Sequence, residues 1–324
     1  MEIDKYKTLE EKKDIFSNHR IINNFDDFDK WYGETKSDGS VYRGIIEAGY
    51  KNYTSAQRFN IVNDYEDLPH QTQIRLELDE LRKYRGGLIE RHCSSLGVPC
   101  TDLYLLSFAQ HYGGISPLLD FSTDINTALF FMTDGCSFPV TGKGSGSCEA
   151  IENYASLYYI ENERIMRGEQ KIEEYDNYDI CSIDTVLKRD CSLIPIQELL
   201  SYNLLSNFIV SGSNEGGLMP LLLENTPVTI DNGTERQIVR LMLSNLNIEA
   251  QHGCFVFHDH YLSPLERGLS CVEIHKSLIP YIEQEILKPK EISKDTIYPR
   301  GKTIVSESFK KSLARKDIAE YYQL

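Results

Sequence analysis

Arg43, His111, Asp120, Ser122, Thr123, Glu249 and Gln251 are the side chains of this sequence whose types and spacing suit chemistry. Five polar residues, Gln110, His111, Asp120, Ser122 and Thr123, interrupt the apolar stretch LLSFAQHYGGISPLLDFSTDINTALFFM, from Leu105 to Met132. Polar groups inside such a run are costly to bury unless each finds a partner. They make sense around a cleft. Arg43 stands between Tyr42 and Gly44. A planar guanidinium grips phosphate with two bonds, and a neighbouring glycine lets backbone approach a ligand. The structural alternative is an arginine paired with an internal carboxylate. Gln110 and His111 end a helix; they either bond its free carbonyls or, for His111, act as acid, base or ribose contact. Asp120 at a strand end orients Arg43 or His111, or forms a buried pair with one of them. Ser122 and Thr123 lead into a helix, where a hydroxyl caps the first turn and the free N–H groups suit an anion. Glu249 and Gln251 lie two apart in an expected strand, so both share one face with Gly253, a polar wall for a ligand or a solvent-facing edge.

Other chemistries find less support. His258 and His260 in FHDH lack the supporting spacing of a metal site. The eight cysteines form no C-x-x-C pair and read as free thiols. There is no nucleophile elbow and no P-loop. The formal charge of −15 argues against general nucleic-acid binding, although a local basic groove remains compatible with it. No apolar run reaches the roughly 18–20 residues needed to span a bilayer. The charged N-terminus does not read as a signal peptide. The expectation is a soluble, cytoplasmic protein with no membrane partner.

The elements that must hold these residues follow from pattern. The first 37 residues read as one or two helices. SVYRGIIEAG reads as a strand, and YEDLPHQTQIRLELDELRKYR and GLIERHCSSLG read as helix broken at Gly86–Gly87. Asp102 and Gly113 bound a further helix. SPLLDF is a short strand, and Thr123 or Asp124 caps the buried helix INTALFFMT. ASLYYI, LMPLLLE and NIEAQHGCFVFHD read as strands, with Pro220 placing the second at an edge. IQELLSYNLLSNFIV and RQIVRLMLSN carry helical spacing. KSLIPYIEQEILK is a helix interrupted at Pro280. The stretches PVTGKGSGSC and EEYDNYDI are loops. Helices and strands mix without strict alternation, so the expected class is α+β with a compact mixed or antiparallel sheet. Residues 1–37 form an N-terminal helical segment, 38–305 the main domain and 306–324 a charged C-terminal helix.

Three blocks resemble the FRG domain family. VYRGIIEAGYKNYTSAQRF resembles its opening block, an aromatic-Arg-Gly with a downstream arginine. LSFAQHYGGISPLLDFSTDINTALFFM resembles its central block. NLNIEAQHGCFVF and the closing ISKDTIYPRG resemble its end, so the likeness spans Ser40 to Lys302. Two positions depart from it. Ile115–Pro117 replaces a Pro-Thr-Arg, and Asn247 replaces an arginine; both remove positive charge. If those arginines pair with a substrate phosphate, this chain binds its ligand differently or binds another one.

A second resemblance is to the Arg–Ser–Glu layout of ADP-ribosyltransferases, which implies an ADP-ribosyltransferase-like sheet and NAD as the cofactor. On that likeness Arg43, with Tyr42 and Gly44, grips the pyrophosphate. His111, Ser122 and Thr123 line the ribose and nicotinamide pocket. Glu249 is the carboxylate that offsets the charge developing as nicotinamide leaves, with Asp120 in reserve, and Gln251 orients the acceptor or water. The resemblance to the FRG family further implies a bacterial toxin or anti-phage effector that modifies a macromolecular acceptor, protein or nucleic acid, and that an antitoxin or chaperone holds in check. A noncatalytic nucleotide sensor is the alternative. A nuclease or other hydrolase is a third.

Overall fold

Strand β2, Val41–Ile45, runs through the middle of the sheet because its neighbours on both sides can cover it. In β4, Tyr154–Ile160, all seven residues of YASLYYI are buried. A near-continuous apolar run of this kind belongs to a strand packed on both faces. These strands come from a computed structural model. It describes residues 2–16, 18–36, 40–64, 70–84, 86–96, 105–106, 109–110, 115–136, 150–161, 208–211, 218–222, 227–231, 236–240, 250–258, 263–266 and 268–298.

The main sheet has eight strands. In spatial order they are β1 (His19–Ile22), β10 (Ser270–His275), β4, β2, β3 (Leu118–Ser122), β9 (Gly253–His258), β5 (Phe208–Ser211) and β6 (Leu218–Leu222). Pairing is parallel between β1 and β10 and between β5 and β9, and antiparallel elsewhere, so the sheet is mixed. A separate hairpin joins β7 (Pro227–Asp231) to β8 (Arg236–Arg240). The described helices are α1 (Leu9–Ile15), α2 (Phe25–Thr35), α3 (Ser55–Val62), α4 (His70–Lys83), α5 (Leu88–Leu96), α6 (Ile125–Thr133), α7 (Ile279–Tyr281) and α8 (Lys294–Ile297). The class is α+β, as the sequence pattern indicates.

The core of one face lies between the sheet and α2, α6 and the helical stretch from Lys276 to Lys290. Phe28, Trp31, Tyr42, Leu129, Leu157 and Ile282 meet there. Asp124 caps α6 by accepting from the N–H groups of Asn126 and Thr127. The helix then buries seven of its nine residues, consistent with the apolar run INTALFFMT. Gly86 and Gly87 take φ of 68° and 80° and separate α4 from α5 at the expected break. Pro220 lies in β6 at an edge of the sheet, where a missing N–H costs no ladder bond. No described helix is long and apolar enough to cross a membrane.

Several local expectations need correction. The N-terminal 37 residues are not all helical, since β1 extends the sheet beside β10. Phe208–Ser211 and Arg236–Arg240 are strands, not helix. Their β-branched pairs, Ile209–Val210 and Ile238–Val239, suit a pleated backbone better than a helical one. Pro280 does not interrupt its helix. It sits in the first turn of α7, where its N–H is not needed. Asp102, Gly113, the loops PVTGKGSGSC and EEYDNYDI, and the C-terminal segment from Ser306 lie outside the described residues.

Candidate functional site

Arg43 projects from the central strand into a hollow, and two acceptors hold it in place. Nε donates to Oδ1 of Asn52 at 3.2 Å, and Nη1 donates to the backbone carbonyl of Asp120 at 2.7 Å. It forms no ion pair with a carboxylate among the described residues. The hollow has a volume of about 710 Å³ and takes its walls from β2, β3 and β9, from α3, and from the N-terminal residues Ile3–Lys5. A volume of this size falls in the roughly 300–1,000 Å³ range of small-molecule and cofactor sites.

A second guanidinium, that of Arg58, lines the same hollow. Thr54 and Gln57 form a reciprocal capping box at the start of α3. Gln57 also donates to the Ser263 carbonyl at 2.7 Å, which ties the helix to the far end of the chain. Arg58 follows directly and donates Nη1 to the Tyr53 carbonyl at 2.9 Å. Desolvation lowers the pKa of both arginines, while the Asp120 carboxylate opposes the shift at each. Arg58 itself lowers the value at Arg43, so the two cations feel each other. A pair of guanidinium groups held by carbonyls and an amide, with the Asp120 carboxylate nearby but no carboxylate at ion-pair distance among the described residues, is an arrangement that favours an anion.

The carboxylate of Asp120 also lines the hollow and accepts from Nε2 of Gln110 at 2.6 Å. The amide oxygen of Gln110 is buried and has no partner among the described residues. Phe131 and Tyr298 meet edge to face, with ring centroids 6.3 Å apart, and supply apolar wall.

The other expected site residues fare differently. Ser122 lines the hollow, but its hydroxyl donates to the Gln251 carbonyl at 2.7 Å and accepts from the Asp124 N–H. A hydroxyl has one proton to give, so Ser122 fastens β3 to the turn before β9. Thr123 is exposed, does not line the hollow, and bonds the His252 carbonyl. Neither hydroxyl caps α6; Asp124 does.

The Tyr42 phenol points into the core and donates to the Thr35 carbonyl at 2.8 Å. Tyr42 and Gly44 both line the hollow, and Gly44 also allows close packing on a helix: a Cβ there would lie 1.9 Å from the Ala128 carbonyl oxygen of α6. Gln251 is buried, lines the hollow and donates to the Ile297 carbonyl at 3.3 Å. It does not belong to a strand. β9 begins at Gly253, after a turn in which His252 takes a φ of 45°. Gln251 therefore does not present the strand face expected of it. Glu249 and His111 lie outside the described residues.

Arg58 is the main residue that sequence reasoning left unassigned. Its signal was present. T-x-x-Q at Thr54–Gln57 marks a helix start, and an arginine in the first turns opposes the helix dipole. Such a misplaced cation calls for a partner from elsewhere.

Among the described residues, Cys136, Cys254 and Cys271 are free thiols, as expected. His19, Cys271 and Glu273 approach within metal-ligating distance of one another. The ammonium of Lys12 already stands 2.5 Å from the Glu273 carboxylate there, which gives that cluster its cation.

No curated protein and no solved structure matches the chain. A family model does: that of the FRG domain, over residues 38–137. This interval runs from β2 to the end of α6 and includes Arg43, Arg58, Gln110 and Asp120. The third block of the resemblance, around Gln251, falls outside it. On this match residues 38–137 are similar to the FRG domain.

Proposed function

We propose that the protein binds NAD in this hollow and transfers ADP-ribose to a macromolecular acceptor, protein or nucleic acid. The observation that carries the reading is the Arg43–Arg58 pair, two guanidinium groups in one cavity without an ion-pair partner among the described residues. Such groups hold a pyrophosphate through charge-assisted bonds. The fit extends to the apolar wall of Phe131 and Tyr298, which suits the flat rings of a dinucleotide. Bound NAD supplies a nicotinamide–ribose bond whose cleavage builds positive charge on the ribose. The protein's part is to position the cofactor and to offset that charge with a carboxylate. We assign this role to Glu249, two residues before the cavity-lining Gln251, with Asp120 in the cavity wall as the second candidate. Gln110 holds Asp120, and Ser122 holds the Gln251 turn, so both act as positioning residues. The biological setting we propose is that of a toxin or anti-phage effector in the cytoplasm, restrained by an antitoxin or chaperone.

One observation favours binding without chemistry. The Ser122 hydroxyl and the Gln251 amide are already engaged by backbone carbonyls, which leaves the arginines as the main polar contacts for a ligand. A nucleotide sensor would need no more.

Labelled NAD incubated with the purified protein and cell extract separates the readings. Transfer of label is expected, with Arg43→Ala and Glu249→Gln each lowering it roughly 10²–10³-fold. Loss with Asp120→Asn but not with Glu249→Gln moves the catalytic role to Asp120. Saturable NAD binding without consumption establishes the sensor. Absence of both binding and transfer overturns the proposal.

A further inference from the structure

The mouth of the hollow carries a second basic position, and the chain's own N-terminus occupies it. Residues Ile3, Asp4 and Lys5 line the cavity beside Tyr50 and Lys51. This strap is docked by backbone and by rings. Lys5 and Tyr50 form an antiparallel bridge, and the Tyr6 N–H donates to the Gly49 carbonyl at 2.8 Å. The Lys5 ammonium lies 5.2 Å from the centre of the Tyr50 ring, and that of Lys51 lies 5.0 Å from the centre of the Tyr6 ring. The Lys51 ammonium also stands 2.6 Å from Oδ2 of Asp4.

The two partners of that ion pair are unequally held. The Lys51 side chain is 12% exposed and the Asp4 side chain 61%. The cation is therefore fixed in the cavity wall, while its anion is more than half in water. An exposed carboxylate in such a pair contributes little and exchanges readily for a stronger anion. A phosphate is such an anion, with more charge and more acceptor oxygens for the same ammonium.

We infer that Lys51 is a second anion-binding position of the hollow, filled in the free protein by Asp4. A dinucleotide with a phosphate beyond its pyrophosphate would displace Asp4 and take its place. The inference rests on the reading of the hollow as a nucleotide site, and it refines the ligand class to a 2′-phosphorylated dinucleotide of the NADP type. The cavity wall holds four basic side chains, Lys5, Arg43, Lys51 and Arg58, against two acidic ones, Asp4 and Asp120. Two guanidinium groups serve one pyrophosphate, so the lysines exceed what that group requires.

Calorimetric titration of the full chain with NAD and with NADP tests this. NADP is expected to bind about fivefold more tightly than NAD. Asp4→Asn is expected to tighten NADP binding about fivefold further, with a smaller gain for NAD. Lys51→Ala is expected to erase the preference. Because Asp4→Asn can loosen the strap, a variant lacking residues 2–4 is measured beside it and must move in the same direction. Hydrogen exchange at the Tyr6 amide, which bonds Gly49, should quicken on NADP binding, a response that a purely structural ion pair would not give. The inference is overturned if NADP shows no advantage, if Asp4→Asn leaves its affinity unchanged or weaker, or if Lys51→Ala keeps the preference. Arg58→Ala keeps the two failures apart. If it abolishes NAD binding while the Asp4 and Lys51 variants are silent, the nucleotide site stands and the second position falls. If neither dinucleotide binds the unaltered protein, both fall.

Discussion

Glu77 on α4 is 9% exposed, and its Oε1 accepts from the Ile115 N–H at 3.4 Å. Burial pushes its carboxyl up to about 8 from the ordinary 4.5, against the opposing bond from Ile115 and with a further push from Glu80. A raised folded-state value means that the native protein prefers the neutral acid. The contribution to stability is then fully present below about 4.5, drains away as the unfolded state ionises, and is lost as the pH rises through about 8. Glu77→Gln should remove this loss. Urea unfolding at pH 5 and at pH 8 should show the variant more stable at pH 8 by a few kcal/mol, on the order of 2–4, with a much flatter profile between the two. Equal pH dependence in both proteins would show Glu77 to be solvated. Nothing near Glu77 in the sequence announces its burial. Between Leu76 and Leu78 on an amphipathic helix it reads as an ordinary charged residue, because burial depends on what packs from elsewhere. Arg43 is the opposite case. An arginine beside glycine on a short apolar strand is unusual enough to be read directly, and the hollow contains it.

Elements inherit their spacing from the smallest residue between them. β2 approaches α6 so closely that a Cβ on Gly44 would meet the Ala128 carbonyl oxygen at 1.9 Å and the Met132 nitrogen at 2.8 Å. Both obstacles are backbone, so no side chain can swing aside. Gly44→Ala should cost about 3 kcal/mol, the upper range for overpacking, or prevent folding. Gly33 in α2 has nothing within 4 Å of the same position. Gly33→Ala should therefore stabilise the protein by up to about 1 kcal/mol through helix propensity. Thermal unfolding of the two variants should shift in opposite directions, and a mild effect at Gly44 would mean that α6 can move away from β2. At this scale the legible elements were those whose pattern is set locally: β2, β3, α6 and the edge strand β6. β5 and β8 were misread because a short apolar run fits both periods, and pairing partners decide between them. The turn before β9 was misread for another reason. Non-glycine residues seldom take positive φ, so nothing marks His252 as a chain reversal.

Across the whole molecule, the N-terminal segment is secured by a charge pair buried in the sheet. Lys12 of α1 and Glu273 of β10 are both 0% exposed, with Nζ 2.5 Å from Oε1. Lys12 also donates to the Ser156 hydroxyl and the Ala48 carbonyl, while Ser156 and the Cys271 thiol donate to Glu273. Burial by itself would raise the Glu273 value, but Lys12, His19 and Ser156 outweigh it and hold the carboxylate below its ordinary range. Its contribution to stability is then present above about 4.5 and is lost as the pH falls through the lower folded-state value. The sequence did not reveal the pair, since LEEKKDIF reads as a solvated charged helix and the glutamate lies near the other end of the chain. Lys12→Met strands a buried carboxylate and should destabilise the protein by about 3–5 kcal/mol, whereas Lys12→Met combined with Glu273→Gln should recover much of that loss. Urea unfolding of the three proteins at neutral pH, repeated at pH 4, measures the coupling. The double variant should lose less stability on acidification than the unaltered chain, because it lacks the depressed carboxylate. Equal losses in the single and double variants would mean that Lys12 contributes by packing, through the rings of Tyr6, Phe16 and Tyr158 that surround its ammonium. The same anchor holds α1 against the sheet, just after Ile3, Asp4 and Lys5, which line the hollow. Lys12→Met should therefore lower stability while loosening the hold of Asp4 on Lys51, so that NADP affinity rises as stability falls, although this lysine lines no part of the cavity.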